Sequence, residues 1–300
     1  MPREKTSQGS RPKDGKGMKG KLIITGLLTL AVCMATWTIA EQEAEKGAGK
    51  GATAPQGTNQ KPDARSFLDK FFEAIKAGDQ DRMEELVRQA GPQIVYDAIV
   101  SESTRGITSV AEGKDGSMHL NTAEAMATLY AKEFKKGALL EQVRKYKLYD
   151  QQMSQEKLKA DALVREGLSF YRKSQWEESQ RQFNEALVAF DKIGDLFGRS
   201  KALTYIGDTN MQLGHYDRAL RIYQQNLELK RTIGDLRGEA TALSNMGAIY
   251  QSLKQYDKAL KFYNQSIEEY QKMKDQAEEA GLLKEIENIR EKLKRDSQER

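Results

Sequence analysis

The sequence predicts an all-α protein: a solenoid of stacked helix pairs preceded by an irregular helical region. Three observations carry that prediction. A 40-residue self-similarity runs through the second half of the 300-residue chain, and a period of this length marks stacked repeat units. Apolar residues make up 38% and charged residues 31%, a mix that suits exposed helices better than one large sheet-based core. Apolar residues recur at helical spacing from Phe67 onward, with only five prolines in the chain to interrupt them.

The leader comes first. The formal net charge of +4 is unevenly spread: residues 1–21 hold seven basic and two acidic side chains, residues 22–40 none, and the remainder 41 basic and 42 acidic. The body is therefore near neutral and lacks the basic footprint of nucleic-acid binding. Residues 22–40 read LIITGLLTLAVCMATWTIA, with basic residues before and Glu41, Glu43 and Glu45 after. That is the layout of a secretory signal. Thr38 and Ala40 put small side chains at the −3 and −1 positions of a cut after Ala40, and initiation at Met18 gives a signal of ordinary length. A run of 19 residues also approaches the ~20 that span a bilayer, so an uncleaved membrane anchor is the second reading of residues 1–40. Either one predicts an exported body, periplasmic or extracellular, touching a membrane only through residues 22–40 if they are retained. Cys33, the one cysteine, lies in this run. The mature chain is thus expected to have no disulfide, thiolate nucleophile or cysteine metal site.

Residues 41–62 are polar and glycine-rich and read as a flexible linker. The glycines at 47, 49 and 51 lack the spacing of a phosphate loop and have no strand before them. Residues 63–157 read as an N-terminal helical region. Phe67, Leu68, Phe71, Phe72 and Ile75 form one helical stripe that Gly78 ends. Asp81 with Glu84 reads as a capping box for the next helix. Ile94 to Val100 suit a helix, while SESTRG and EGKDGS read as loops, with His119 in a loop as well. Residues 121–136 resume a helical face, and Gly137 breaks the chain before a helix through Leu140, Val143 and Tyr146. Ala123, Ala127 and Tyr130 fall 40 residues before Leu163, Gly167 and Phe170, which admits one degenerate repeat here.

Residues 158–275 hold three clear repeats. Ile193-Gly194-Asp195-Leu196 recurs as Ile233-Gly234-Asp235-Leu236. The same shift of 40 aligns Leu163, Leu203, Leu243 and Leu283, then Gly167, Gly207 and Gly247, then Phe183, Tyr223 and Tyr263. Glycines at fixed points let paired helices approach, aromatics fill the space between units, and Gly194 and Gly234 sit where a helix must stop. The pairs Leu203/Gly207 with Ala219/Tyr223 and Leu243/Gly247 with Ala259/Tyr263 resemble the tetratricopeptide repeat, in an extended form of about 40 residues. The resemblance implies a right-handed solenoid, a non-catalytic role and binding of a protein or peptide partner. The wider layout is similar to helical regions that precede CHAT-type cysteine peptidase domains. Residues 276–300 read as a capping helix and tail, with Leu283, Ile286, Ile289 and Leu293 on the covered face.

No catalytic constellation stands out. His119 and His215 are the only histidines, both read as solvent-exposed, and neither sits in a metal-ligand spacing. No catalytic, metal-binding or cofactor-binding residue is expected. The inner side of the first helices is the expected partner surface, with Arg165, Tyr171, Arg172, Lys201, Tyr205, Asp208, Ser244, Asn245 and Gln251 on it. The resemblance assigns Asn245 to holding a ligand backbone. Arg165, Arg172 and Lys201 favour an acidic segment or a terminal carboxylate. The alternatives are a spacing subunit of an envelope assembly, or an enzyme with its site in residues 63–157.

Overall fold

A computed structural model describes residues 64–298; the leader at 1–40 and the linker at 41–62 lie outside the described residues. Among those described there are twelve helices and no strand. The N-terminal region contributes α1 (Ala64–Ala77), α2 (Gln80–Ala90), α3 (Pro92–Ala111), α4 (Ser117–Phe134) and α5 (Ala138–Lys147). Then come three helix pairs: α6 (Gln151–Arg172) with α7 (Trp176–Ile193), α8 (Leu196–Gln212) with α9 (Tyr216–Ile233), and α10 (Leu236–Ser252) with α11 (Tyr256–Lys272). The helix α12 (Gln276–Gln298) closes the stack against α11.

The glycine register explains how each pair closes. A Cβ at Gly167 would lie 2.6 Å from the Phe183 ring, at Gly207 2.6 Å from Tyr223, and at Gly247 2.7 Å from Tyr263. Each first helix thus offers a notch that receives the aromatic of its own second helix. The IGD turns link the pairs. Gly194 and Gly234 take positive φ, 64° and 84°, which glycine adopts without a steric penalty. The following aspartate caps the next helix: Asp195 accepts from the backbone N–H groups of Phe197 and Gly198 at 3.0 Å each, and Asp235 from Gly238 at 2.8 Å.

These turns also carry the N-terminal region. Phe71, Val95, Ile99, Met126, Tyr130, Leu139 and Val143 form a buried cluster that Ile233 joins from α9. Tyr130 donates to the Gly234 carbonyl at 3.3 Å and Tyr149 to the Ile193 carbonyl at 2.8 Å, while the Tyr146 hydroxyl donates to Asp195. Gln93 accepts from the Arg237 N–H at 2.9 Å. As a result α3 touches both α6 and α10, the first helices of units one and three.

Several sequence expectations are corrected. The helix α2 starts at Gln80 with Asp79, not Asp81, as its cap, accepting from the Arg82 N–H at 2.9 Å. SESTRG lies inside α3 rather than in a loop, because Gly106 lets α3 pass so near α4 that a Cβ there would sit 2.5 Å from Leu120 Cγ. His119 lies on α4, half-buried, and not in an exposed loop. On α12 the covered residues are Leu282, Ile286 and Ile289, whereas Leu283 and Leu293, expected on that face, are exposed. No second helix follows α12 among the described residues to cover Leu283, so the face that meets α11 decides burial.

Candidate functional site

Polar links between like helices of successive units run through the first helices. Lys201 of α8 lies 3.8 Å from Asp161 of α6, Asn245 of α10 donates to Asp208 of α8 at 3.2 Å, and Gln251 of α10 donates to Glu285 of α12 at 3.3 Å. The first helices of units one and two, α6 and α8, also touch directly. The first helices therefore form the inner, closer-spaced side of the curve, the side on which repeat proteins of this build present a binding surface.

At the middle of that side is a polar floor. Asp208 is only 9% exposed. Its Oδ1 accepts from the Tyr223 hydroxyl at 2.5 Å and from Asn245 Nδ2 at 3.2 Å. Asn245 Nδ2 also approaches the Tyr223 oxygen at 3.3 Å. Burial pushes the Asp208 carboxyl up to about 6, against the opposing pull of the Tyr223 hydrogen bond and the Lys230 charge. Burial likewise raises Tyr223 well above its ordinary value, and the adjoining Asp208 charge adds to this. Tyr171 closes the floor from α6. It is 6% exposed. Its hydroxyl has Gln212 of α8 as a polar neighbour, but no partner at hydrogen-bond distance and angle.

The nine residues predicted to line the surface divide by depth. Arg165 and Arg172 are exposed. Lys201, Tyr205 and Gln251 are half-buried. Tyr171, Asp208, Ser244 and Asn245 are buried, contrary to the expectation of an open face. The cause is the close approach of the first helices, which turns their facing side chains onto one another. Ser244 bonds back to the Thr241 carbonyl at 2.9 Å. Gln251 accepts from Tyr263 at 2.6 Å besides reaching Glu285. The expected ligand-holding role of Asn245 is narrowed, since its N–H donor is spent inside the protein. Lys201, expected as a cation for the ligand, instead faces Asp161, and Asp161 also pairs with Lys157 at 2.9 Å. Tyr205 stacks on Phe183 with ring centroids 5.0 Å apart.

Sequence reasoning treats Tyr223 only as packing. The signal it passes over is that unit one carries Phe183 at this register whereas unit two carries Tyr223; the extra hydroxyl marks where the floor becomes polar. In the N-terminal region, Glu102 is fully buried and holds Arg105 and His119 Nδ1, each at 2.8 Å. This trio ties α3 to α4 and uses both carboxylate oxygens. Among the described residues no three His, Cys, Asp or Glu side chains gather as a metal site. No helix among them is long and apolar enough to cross a membrane.

Residues 198–272 match the tetratricopeptide repeat family model. The matched span opens at Gly198 on α8 and ends at Lys272, the end of α11, and so covers units two and three. No curated protein matches the chain. Among solved structures, the apo form of RapI is 15% identical, with a TM-score of 0.43, over 77% of this chain and 72% of that one. A signal-transduction ATPase with numerous domains and a tetratricopeptide repeat sensor, from Pyrococcus horikoshii, is 16% identical with a TM-score of 0.38. That match covers 78% of this chain and 36% of the ATPase.

Proposed function

We propose that the tetratricopeptide repeats of residues 198–272, continued by α6 and α7 before them and α12 after, make this chain a non-catalytic adaptor. Repeats of this family generally mediate protein–protein interaction. The adaptor holds an extended segment of a partner protein along the inner face of its first helices. One observation carries this reading: Tyr171, Asp208 and Asn245, from three successive first helices, turn polar groups toward one buried floor. A rod that only sets a distance gains nothing from this, because buried polar groups cost stability unless they are fully bonded.

Arg165 and Arg172 form the exposed rim of the same face. With a partner recovered by the full chain from cell-envelope extract and identified by mass spectrometry, the double variant Arg165→Ala, Arg172→Ala weakens binding at least tenfold, about 1.4 kcal/mol. Its melting temperature stays unchanged. Equal affinity of variant and parent would move the site off this face.

The site of action is part of the proposal. The basic, apolar and small-residue layout of residues 18–40 supports export. Mass spectrometry of the protein from its native cell then gives an N-terminus near Glu41. An intact chain in the membrane fraction indicates the anchor, and an intact soluble cytoplasmic chain refutes export.

A further inference from the structure

The Asp208 carboxylate is bonded on one side only. Both of its donors, Tyr223 and Asn245, reach Oδ1. An ionised carboxylate has about four acceptor positions over two oxygens, and among the described residues nothing donates to Oδ2. The residue keeps 9% of its surface exposed. Nor does Asp208 join any ion pair of the described residues. The cation whose charge reaches it is Lys230, and Lys230 is held 3.1 Å from Asp235. Asp208 is thus a nine-tenths buried acid without a contacting counter-charge.

A buried tyrosine hydroxyl stands beside it. The Tyr171 hydroxyl, on the neighbouring first helix, is buried, with Gln212 as a polar neighbour but no partner at hydrogen-bond distance and angle. Burial opposes its ionisation most and the Asp208 charge next, Gln212 favours it, and Tyr205 opposes it, so Tyr171, Asp208 and Tyr205 are neighbours. Tyr205 adds an aromatic ring that is half-buried against Phe183. An acceptor oxygen, a tyrosine hydroxyl and a ring together match a planar cation: a guanidinium donates through several N–H groups at fixed angles and stacks on aromatic faces. A carboxylate ligand finds the opposite, a like charge at the bottom of the site.

We propose that Asp208, with Tyr171 and Tyr205, forms a subsite for a basic side chain, preferentially arginine, of the bound peptide. The inference rests on the inner face being the peptide site, and it replaces the acidic ligand expected from Arg165, Arg172 and Lys201. Those arginines stay at the rim and contact the rest of the segment. The cation enters without leaving an unpaired charge in the floor, because it meets the one that is already there.

The test is a bead-bound library of randomised nonapeptides, selected on the full chain and on Asp208→Asn at equal protein concentration. Both proteins are first shown to melt cooperatively at the selection pH. The expected result is arginine or lysine enriched at one fixed position by the parent and not by the variant. Replacing that arginine by citrulline, which removes the charge and keeps the shape, then lowers affinity for the parent at least tenfold and for the variant less than twofold. Enrichment of Asp or Glu, or a basic position that survives Asp208→Asn, overturns the subsite and leaves peptide binding standing. If neither protein selects any peptide, the subsite and the peptide-binding reading both fall.

Discussion

Replacing Asp208 by Asn makes the protein more stable at neutral pH, and the gain depends on pH in a defined direction. Burial raises the Asp208 carboxyl from 3.8 to about 6. A carboxyl whose folded pKa lies above its unfolded value holds its proton more tightly when folded. Stability is therefore greatest below the unfolded value, falls as pH rises through the window from 3.8 to about 6, and stays lower above it. A tenfold difference in proton affinity between the folded and unfolded chain is worth about 1.36 kcal/mol, so the ceiling is roughly 3 kcal/mol and the change between pH 4.5 and 7.5 about 2 kcal/mol. Asparagine keeps the shape, accepts from Tyr223 and cannot ionise. The groups facing this side chain are Tyr171 from α6, Tyr223 and Lys230 from α9 and Asn245 from α10; burial raises both tyrosines, which stay neutral across the window. Asp97, which burial also raises to about 6, titrates in the same window. The quantity to read is therefore the difference between variant and parent, from urea unfolding at both pH values. The advantage of the variant grows by about 2 kcal/mol from pH 4.5 to 7.5. A difference that is constant with pH, or that shrinks, refutes a buried, unpaired Asp208.

Two further predictions concern packing and charge. Gly247→Leu overpacks the notch filled by the Tyr263 ring and costs at least about 1–3 kcal/mol, while Ser252→Ala on the exposed side of α10 changes stability by under about 0.5 kcal/mol; similar melting temperatures for the two contradict the register. Lys157→Met strips the partner from Asp161 at 2.9 Å and from Asp195 at 3.0 Å and costs about 3–5 kcal/mol, whereas Lys192→Ala, at an exposed pair with Glu156, costs under about 1 kcal/mol by the same urea assay.

The repeats are legible in the sequence because their information is local and recurs. Gly207 and Tyr223 sit 16 residues apart in one pair, and the neighbouring unit restates the relation as Gly247 and Tyr263. The docking of the N-terminal region is not legible. Tyr130 finds Gly234, and Gln93 finds Arg237, across more than a hundred residues, and no periodicity links such partners. SESTRG shows a related failure. Its polar and glycine residues argue for a loop locally, but the approach of α4 requires the small residue at 106 inside a helix. At the site, spacing places Asp208 and Asn245 on first helices of successive units, where they meet. It says nothing of their depth, which depends on how far the stack curves and so on contacts between units. His119 meets the same limit: its partner Glu102 lies 17 residues away on another helix.

The seating of α3 against both α6 and α10 changes the mechanics of the stack. A chain of units joined only to their neighbours behaves as a spring, and its pitch can vary cheaply. Here a stiff helix of 20 residues spans the arc as a chord spans a bow, pinned at the turns between units. Opening or tightening the curve shears the Gln93 contact of α3 to Arg237, and with it the tyrosine contacts of α4, of α5 and of Tyr149 just beyond α5 to Gly234, Asp195 and Ile193. The bow is braced at the radius at which Asp208 and Asn245 meet. The spacing between the first helices is thus set in part from outside the repeats, by helices that lie more than a hundred residues away in the chain.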